Sequence, residues 1–237
     1  MAQFETTRAT TYPPQVEAGE QISAFLRSVY AWMAGGLAIT ALVATFVASS
    51  PSIVVAIARS PVLFWSIVIA QLGIVFVLSG RVHKMASTTA SMLFIAYSAL
   101  TGLTMSFVLL AYTGESVATT FVVTAGMFGA LAGWGTLTRR SLEGWGQFLF
   151  MGLIGVVIAS IVGIFWQSDA LQFVISFVGV IVFTGLTAYD AQRLKAMALA
   201  LPQGEAGSYA ILGALTLYLD FINLFLMLLR LFGGRRR

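Results

Sequence analysis

The chain has 237 residues, of which 59% are hydrophobic and 9% charged, with a formal net charge of +4 and no cysteine. Soluble domains carry about 25% charged residues, so a water-soluble fold of this composition could not cover its own core, and the composition argues against a soluble enzyme. The absence of cysteine removes disulfides, thiol catalysis and thiolate metal sites.

The first 27 residues are mixed polar (Glu5, Arg8, Pro13, Pro14, Glu17, Glu20, Arg27) and lack a short apolar stretch after a basic start, so no cleaved signal peptide is expected. They read as a mobile cytoplasmic tail over residues 1–27, ending in an interfacial turn near Phe25 and Arg27. Seven apolar runs follow: Val29–Ala48, Pro61–Ser79, Thr88–Tyr112, Ser116–Leu137, Phe148–Trp166, Leu171–Asp190 and Tyr209–Leu231. Each is near the ~20 residues a spanning helix needs, and none alternates apolar with polar as a barrel strand would. The expected fold class is an all-α integral membrane protein, with a seven-helix domain over residues 28–233 and a basic tail over 234–237.

Glycines recur inside the runs, and small residues let membrane helices approach closely. Ala125–Gly133 (AGMFGALAG) is the strongest such patch and reads as packing. Trp32, Trp65, Trp134, Trp145 and Trp166 fall near run ends and read as interface anchors. Arg81, Lys84, Arg139, Arg140, Arg193 and Lys195 lie in one set of connections, whereas the opposite set holds a single basic residue, Arg59. Basic loops stay in the cytoplasm, which puts the N-terminus inside and, after seven spans, the C-terminus outside. Arg235, Arg236 and Arg237 pull the other way, and a re-entrant last segment is the alternative. The basic residues punctuate apolar runs, so they point to topology and lipid headgroups, not to nucleic acid.

Charge at membrane depth is costly, which singles out the carboxylates inside the runs, Asp190 and Asp220. Helical spacing puts Gly213, Thr216, Asp220 and Asn223 on one stripe, and Ser176, Gly179, Phe183, Thr187 and Asp190 on another. Pro202, Gly204 and Gly207 mark the turn between the last two runs; Asp190 precedes Glu205 by 15 residues and Asp220 follows it by 15. Equal distance from the turn of an antiparallel hairpin means similar depth, provided the sixth helix continues past Lys195 to about Leu201. Two ionised carboxylates ~4 Å apart repel by ~4 kcal/mol at an effective dielectric of ~20. Such a pair shares one proton and titrates as a unit. It reads as a pH-sensing latch and, when deprotonated and separated, as an all-oxygen site for calcium. Each aspartate also has a structural reading: Asp220 as hydrogen-bonding glue between helices, Asp190 as a helix-end charge paired with Arg193.

Other polar groups are weaker candidates. Arg81 at the end of the second run either pairs with the latch or snorkels to headgroups. Gln71 faces other helices, and Arg230 snorkels. His83, the one histidine, sits in a basic loop, which argues against a zinc site. No nucleotide loop or catalytic triad is present, and no lysine stands in the last run for a retinal Schiff base. Aspartyl protease chemistry on Asp190 and Asp220 has no other support, so the expectation is no enzyme and no cofactor.

Long ordered stretches then carry a resemblance. TLYLDFINLFLMLLRLFG (Thr216–Gly233), VFTGLTAYDAQRLK (Val182–Lys195), GQFLFMGLIGVVIASIV (Gly146–Val162), SALTGLTMSFVLLAYTG (Ser98–Gly114) and TAGMFGALAGWGTLTRRSL (Thr124–Leu142) resemble the Bax inhibitor-1 family, in particular its bacterial calcium-leak branch. The resemblance covers about Gln21 to Gly233. It implies a last helix enclosed by six others, a pH-responsive pair at Asp190 and Asp220, and a basic partner at Arg81. Some members carry a glutamate where this chain has Gln71, which takes away the basis for a further ion-binding role there. Bacterial inner membrane is the implied location.

The functional expectation is a pH-sensitive calcium leak channel gated by Asp190 and Asp220, with Thr187, Thr216, Asn223 and Gln71 lining the cation path and calcium as permeant or bound ion. The competing reading is a non-transporting protein that modulates a membrane protease or another membrane partner; the polar N-terminal segment favours it. A proton-coupled transporter of a small solute is a third.

Overall fold

The computed structural model describes residues 15–166, 168–201 and 205–236. The expected tail residues 1–14, the turn markers Pro202 and Gly204, and Arg237 lie outside the described residues. The elements are α1 (Gln15–Ala48), α2 (Pro51–Arg59), α3 (Pro61–Arg81), a short 3-10 turn (Val82–Lys84), α4 (Ser87–Ala111), α5 (Gly114–Leu137), α6 (Glu143–Phe165), α7 (Asp169–Ala200) and α8 (Ala206–Phe232). Seven of these, all but α2, are long and apolar enough to cross a membrane. Helices satisfy every backbone group internally, which the hydrocarbon interior requires. Hydroxyl caps set several starts: Ser60 accepts from the Leu63 amide, Thr113 from Ser116 and Ser168 from Leu171.

The last helix occupies the axis. Of its apolar stretch 72% is buried, against 39% or less in every other spanning helix. α8 packs on α7, α1, α5 and α4 and touches α3, while α6 packs principally on α7. Tyr218 anchors one side of α8 between Phe94 and Tyr97, each ring centroid 5.8 Å away and edge-on. Phe221 fills the α5 side against Phe121 and Phe128.

The start of α1 corrects an expectation, and three further features add detail. The segment expected as a tail up to residue 27 is helical from Gln15, and Phe25 and Leu26 are core residues. Ile22, Phe25, Leu26, Val29 and Met33 form a stripe at helical spacing that packs into the main core, and Gln21 Nε2 donates to the Ala198 carbonyl (3.0 Å). The connection between the first two runs contains a further short helix, α2, whose Ile57 is buried. In the AGMFGALAG patch the packing is made by Phe128 and Ala132, which are core residues, while Gly126, Gly129 and Gly133 face open space; a close backbone approach of α5 is made at Gly135, where a Cβ would strike the backbone of Ala188. Trp32 packs edge-on against Phe94 at 6.4 Å, and Trp65, Trp134, Trp145 and Trp166 are exposed near helix ends.

The C-terminus closes the question of the last segment. α8 has 27 residues, ~40 Å at ~1.5 Å each, more than the ~30 Å hydrocarbon core. Beyond it, the Arg236 amide donates to the Ala111 carbonyl (3.0 Å) and the Thr113 amide to the Gly234 carbonyl (3.0 Å). The chain end is therefore fastened to the α4–α5 turn, at the opposite end of the bundle from the α7–α8 turn, and α8 traverses the bundle instead of re-entering.

Gly135 offers a direct check on this packing. Backbone cannot step aside as a flexible side chain can, so Gly135→Leu is expected to cost ~1–3 kcal/mol or more, seen as a lowered melting temperature or loss of monodisperse protein in detergent. Gly129→Leu, on the open face of the same helix, is expected to leave both unchanged.

Candidate functional site

Asp190 on α7 and Asp220 on α8 are both buried, with 9% and 5% of their surfaces exposed. Their carboxyl groups lie within hydrogen-bonding reach of each other. The hairpin argument holds because α7 runs without a break through Lys195 to Ala200. With 32 residues that helix is ~48 Å long, so its final turns extend beyond the hydrocarbon.

Ionised carboxylates carry acceptors only, so two of them bond to each other only through a proton. Asp220 Oδ2 is buried and has no hydrogen-bond partner among the described residues. Arg193 stands three residues beyond Asp190 on α7 and is exposed. Asp220 is the more deeply buried of the two carboxyls.

The stripe expected on α7 faces inward, whereas on α8 Gly213 and Asp220 are buried and Thr216 and Asn223 are half-buried on the less covered side of the helix. Ser176, Phe183 and Thr187 are buried, and a Cβ on Gly213 would meet Leu194 Cδ2 at 2.6 Å, which lets α8 close on α7. The hydroxyl of Thr187 donates to the Phe183 carbonyl (2.7 Å), Thr216 to Leu212 (3.1 Å) and Asn223 Nδ2 to Leu219 (2.8 Å). Each bonds its own helix and none bonds the carboxyls. Gln71 Nε2 donates to Thr101 Oγ1 (3.2 Å), so it faces α4 as expected but stands apart from the pair. Arg81 is the clear departure: it is exposed at the end of α3. The neighbouring Leu78 and Val82 fill the interior face there, which turns Arg81 outward.

Sequence reasoning missed the polar anchor on the other side of α8. Tyr218 precedes Asp220 by two residues, ~200° around a helix, so it projects from the opposite face. Its hydroxyl meets Thr40 Oγ1 at 2.6 Å, and Thr40 also lies 2.9 Å from the Ser98 carbonyl and 3.0 Å from that of Gly36. A lone Tyr in a run of leucines, with threonines at mid-depth in two other runs, was the available signal. A clasp beyond Asp190 was missed as well. Gln192 accepts from the Leu142 amide (2.8 Å) and donates to the Arg140 carbonyl (2.9 Å), and Lys195 Nζ donates to the Thr136 carbonyl (2.8 Å).

Two carboxylates supply at most four oxygens, and calcium takes 6–8. No group of three or more His, Cys, Asp or Glu suited to a metal occurs among the described residues.

Comparison with known proteins adds to this geometry. The model of the family described as inhibitor of apoptosis-promoting Bax1 matches residues 22–237. The inner membrane protein YbhL of Escherichia coli (strain K12) is 50% identical over 218 residues, covering 91% of this chain and 93% of its own. A protein of Deinococcus radiodurans is 42% identical over 217 residues (91% and 93%). A membrane protein of Streptococcus pyogenes serotype M6 is 35% identical over 216 residues (90% and 93%).

Removing the proton from the pair leaves two like charges facing each other across the α7–α8 contact. The melting temperature of the purified protein is accordingly expected to fall as pH is raised, by about 2–4 °C for each kcal/mol of repulsion. Asp220→Asn keeps a hydrogen bond through its amide and removes one charge, so its melting temperature is expected to vary less over the same pH series.

Proposed function

This chain belongs to the Bax inhibitor-1 family and is a multi-pass inner-membrane protein, and from that premise we propose that it is a pH-sensitive leak pathway for cations, calcium among them, gated by Asp190 and Asp220. The observation that carries this reading is the meeting of two buried carboxyls between the axial helix and its principal neighbour. With a proton between them they bind α7 to α8. Without it they repel by ~4 kcal/mol at ~4 Å and an effective dielectric of ~20, and present the oxygen ligands a hard cation accepts. The same event loosens the helix contact and makes the gap attractive to cations.

Thr187, Thr216 and Asn223 flank this contact, and their remaining lone pairs would line the path; Gln71 belongs to the α3–α4 contact and is not part of it. Arg81 at the end of α3, Arg193 and Lys195 on α7, and Arg139 and Arg140 between α5 and α6 favour a cytoplasmic N-terminus, and in this reading the pair senses the cytoplasmic proton activity from that side. No covalent step is involved, and the reading needs neither enzyme chemistry nor a cofactor.

Reconstitution of the protein alone into liposomes, with a calcium-reporting dye, tests the proposal. Wild type is expected to pass calcium at a rate that changes with pH, while Asp190→Asn and Asp220→Asn flatten the profile. A pH profile that survives in both variants would overturn the gating role. Absence of flux at every pH would overturn the leak itself and favour a protein that acts by modulating a membrane protease or another membrane partner.

A further inference from the structure

A cleft of about 630 Å³ opens in the half of the bundle that holds the C-terminus. Ala41, Ala48 and Thr45 of α1 form one wall and Ala118 and Val122 of α5 the other, while Phe221 of α8 lies at its base. It exists because α5 leans on α7 and α8 and does not pack along α1 or α4. Its size falls within the ~300–1,000 Å³ of ligand pockets.

The lining is apolar and offers little to a polar guest. The Thr45 hydroxyl donates to the Ala41 carbonyl (2.8 Å), Ser49 donates to Thr45, and Thr40 is held by Tyr218. From Leu37 to Ser49 the α1 wall advances 12 residues, ~18 Å, close to the ~15 Å of one leaflet's hydrocarbon. Charge appears only at the mouth. Arg236 lines the cleft there, and its backbone amide is fixed to the Ala111 carbonyl at 3.0 Å, so the side chain is presented from a fastened strand. Arg235 beside it is exposed, and the acids at this end, Glu115 and Asp169, do not line the cleft.

We propose that this cleft is a binding site for one anionic phospholipid of the bilayer, with an acyl chain between α1 and α5 and the phosphate at Arg236. An apolar slot one leaflet deep with a cation at its rim matches a lipid in shape and charge. An arginine pairs with phosphate through parallel N–H donors. The site lies on the face of α8 away from Asp190 and does not depend on the gating reading. An occupant here fills the space that α5 leaves, and so fixes the aromatic side of the axial helix.

Native mass spectrometry of the full chain in detergent, with equimolar phosphatidylglycerol and phosphatidylcholine of identical acyl chains, tests this. Wild type is expected to retain one phosphatidylglycerol with a preference of about five-fold, the size expected from one basic residue at a membrane surface. Arg236→Gln is expected to abolish the preference and keep some binding of both lipids, because its backbone hydrogen bond persists. Ala41→Trp and Ala118→Trp, which fill the cleft from opposite walls at exposed positions, are expected to lower retention of both lipids. Equal retention of the two lipids by wild type, retention unchanged in both tryptophan variants, or a dimer that disappears in those variants in place of lipid would overturn the proposal.

Discussion

An ionisable side chain placed at the depth of the hydrocarbon has to find its partner inside the protein, since lipid supplies none. Asp220 imposes that constraint on this fold. Its helix is the most buried of the spanning set, and the two groups on its most polar turn, Tyr218 and Asp220, point to opposite sides, toward α1 and α4 on one and α7 on the other. The arrangement of the surrounding helices answers those two demands. α1 supplies Thr40 to the tyrosine hydroxyl, the carbonyls of Gly36 on α1 and Ser98 on α4 hold that threonine, and α7 supplies the second carboxyl.

The two sides differ in what they can do. A phenol and a hydroxyl in hydrogen-bond contact at 2.6 Å are neutral and satisfied over the whole physiological range, so this side is a fixed hinge for α8. Two carboxyls are satisfied only while a proton lies between them. In the proposed reading, one face of the axial helix is permanently anchored and the other conditionally so, and proton loss loosens the contact with α7. The clasp of Gln192 and Lys195 ties α7, just beyond Asp190, to the end of α5 and the α5–α6 connection.

Much of this was legible in the residues. The seven apolar runs fall inside the seven spanning helices to within a few positions, because hydrocarbon thickness sets element length. The meeting of Asp190 and Asp220 followed from their equal distance to a turn, a geometric rule that needs only two continuous helices. What was hidden depended on relations between helices. Arg81 could not be placed from its position at a helix end, since a rotation about the helix axis decides whether it faces the pair or the outside. In the small-residue patch Ala125–Gly133 composition does not say which face of α5 is covered: its Gly126, Gly129 and Gly133 face open space, and Gly135, just beyond it, is the glycine that meets the α7 backbone. The early start of α1 was written in the Ile22, Phe25, Leu26 and Val29 spacing but masked by the charged residues between them. The cleft is a place where two helices fail to touch, and no local pattern marks that.

Everything about the mechanism rests on a proton held jointly by two side chains of different helices. Infrared difference spectroscopy of the protein in lipid reads this directly through the carboxylic-acid carbonyl stretch. The account predicts one such band that Asp220→Asn abolishes and that Asp190→Asn shifts in frequency, since the proton sits on the more deeply buried carboxyl and bonds to the other. A band that persists in Asp220→Asn, a band whose frequency Asp190→Asn leaves unchanged, or no carboxylic-acid band from wild type at any pH at which it remains folded, would contradict it.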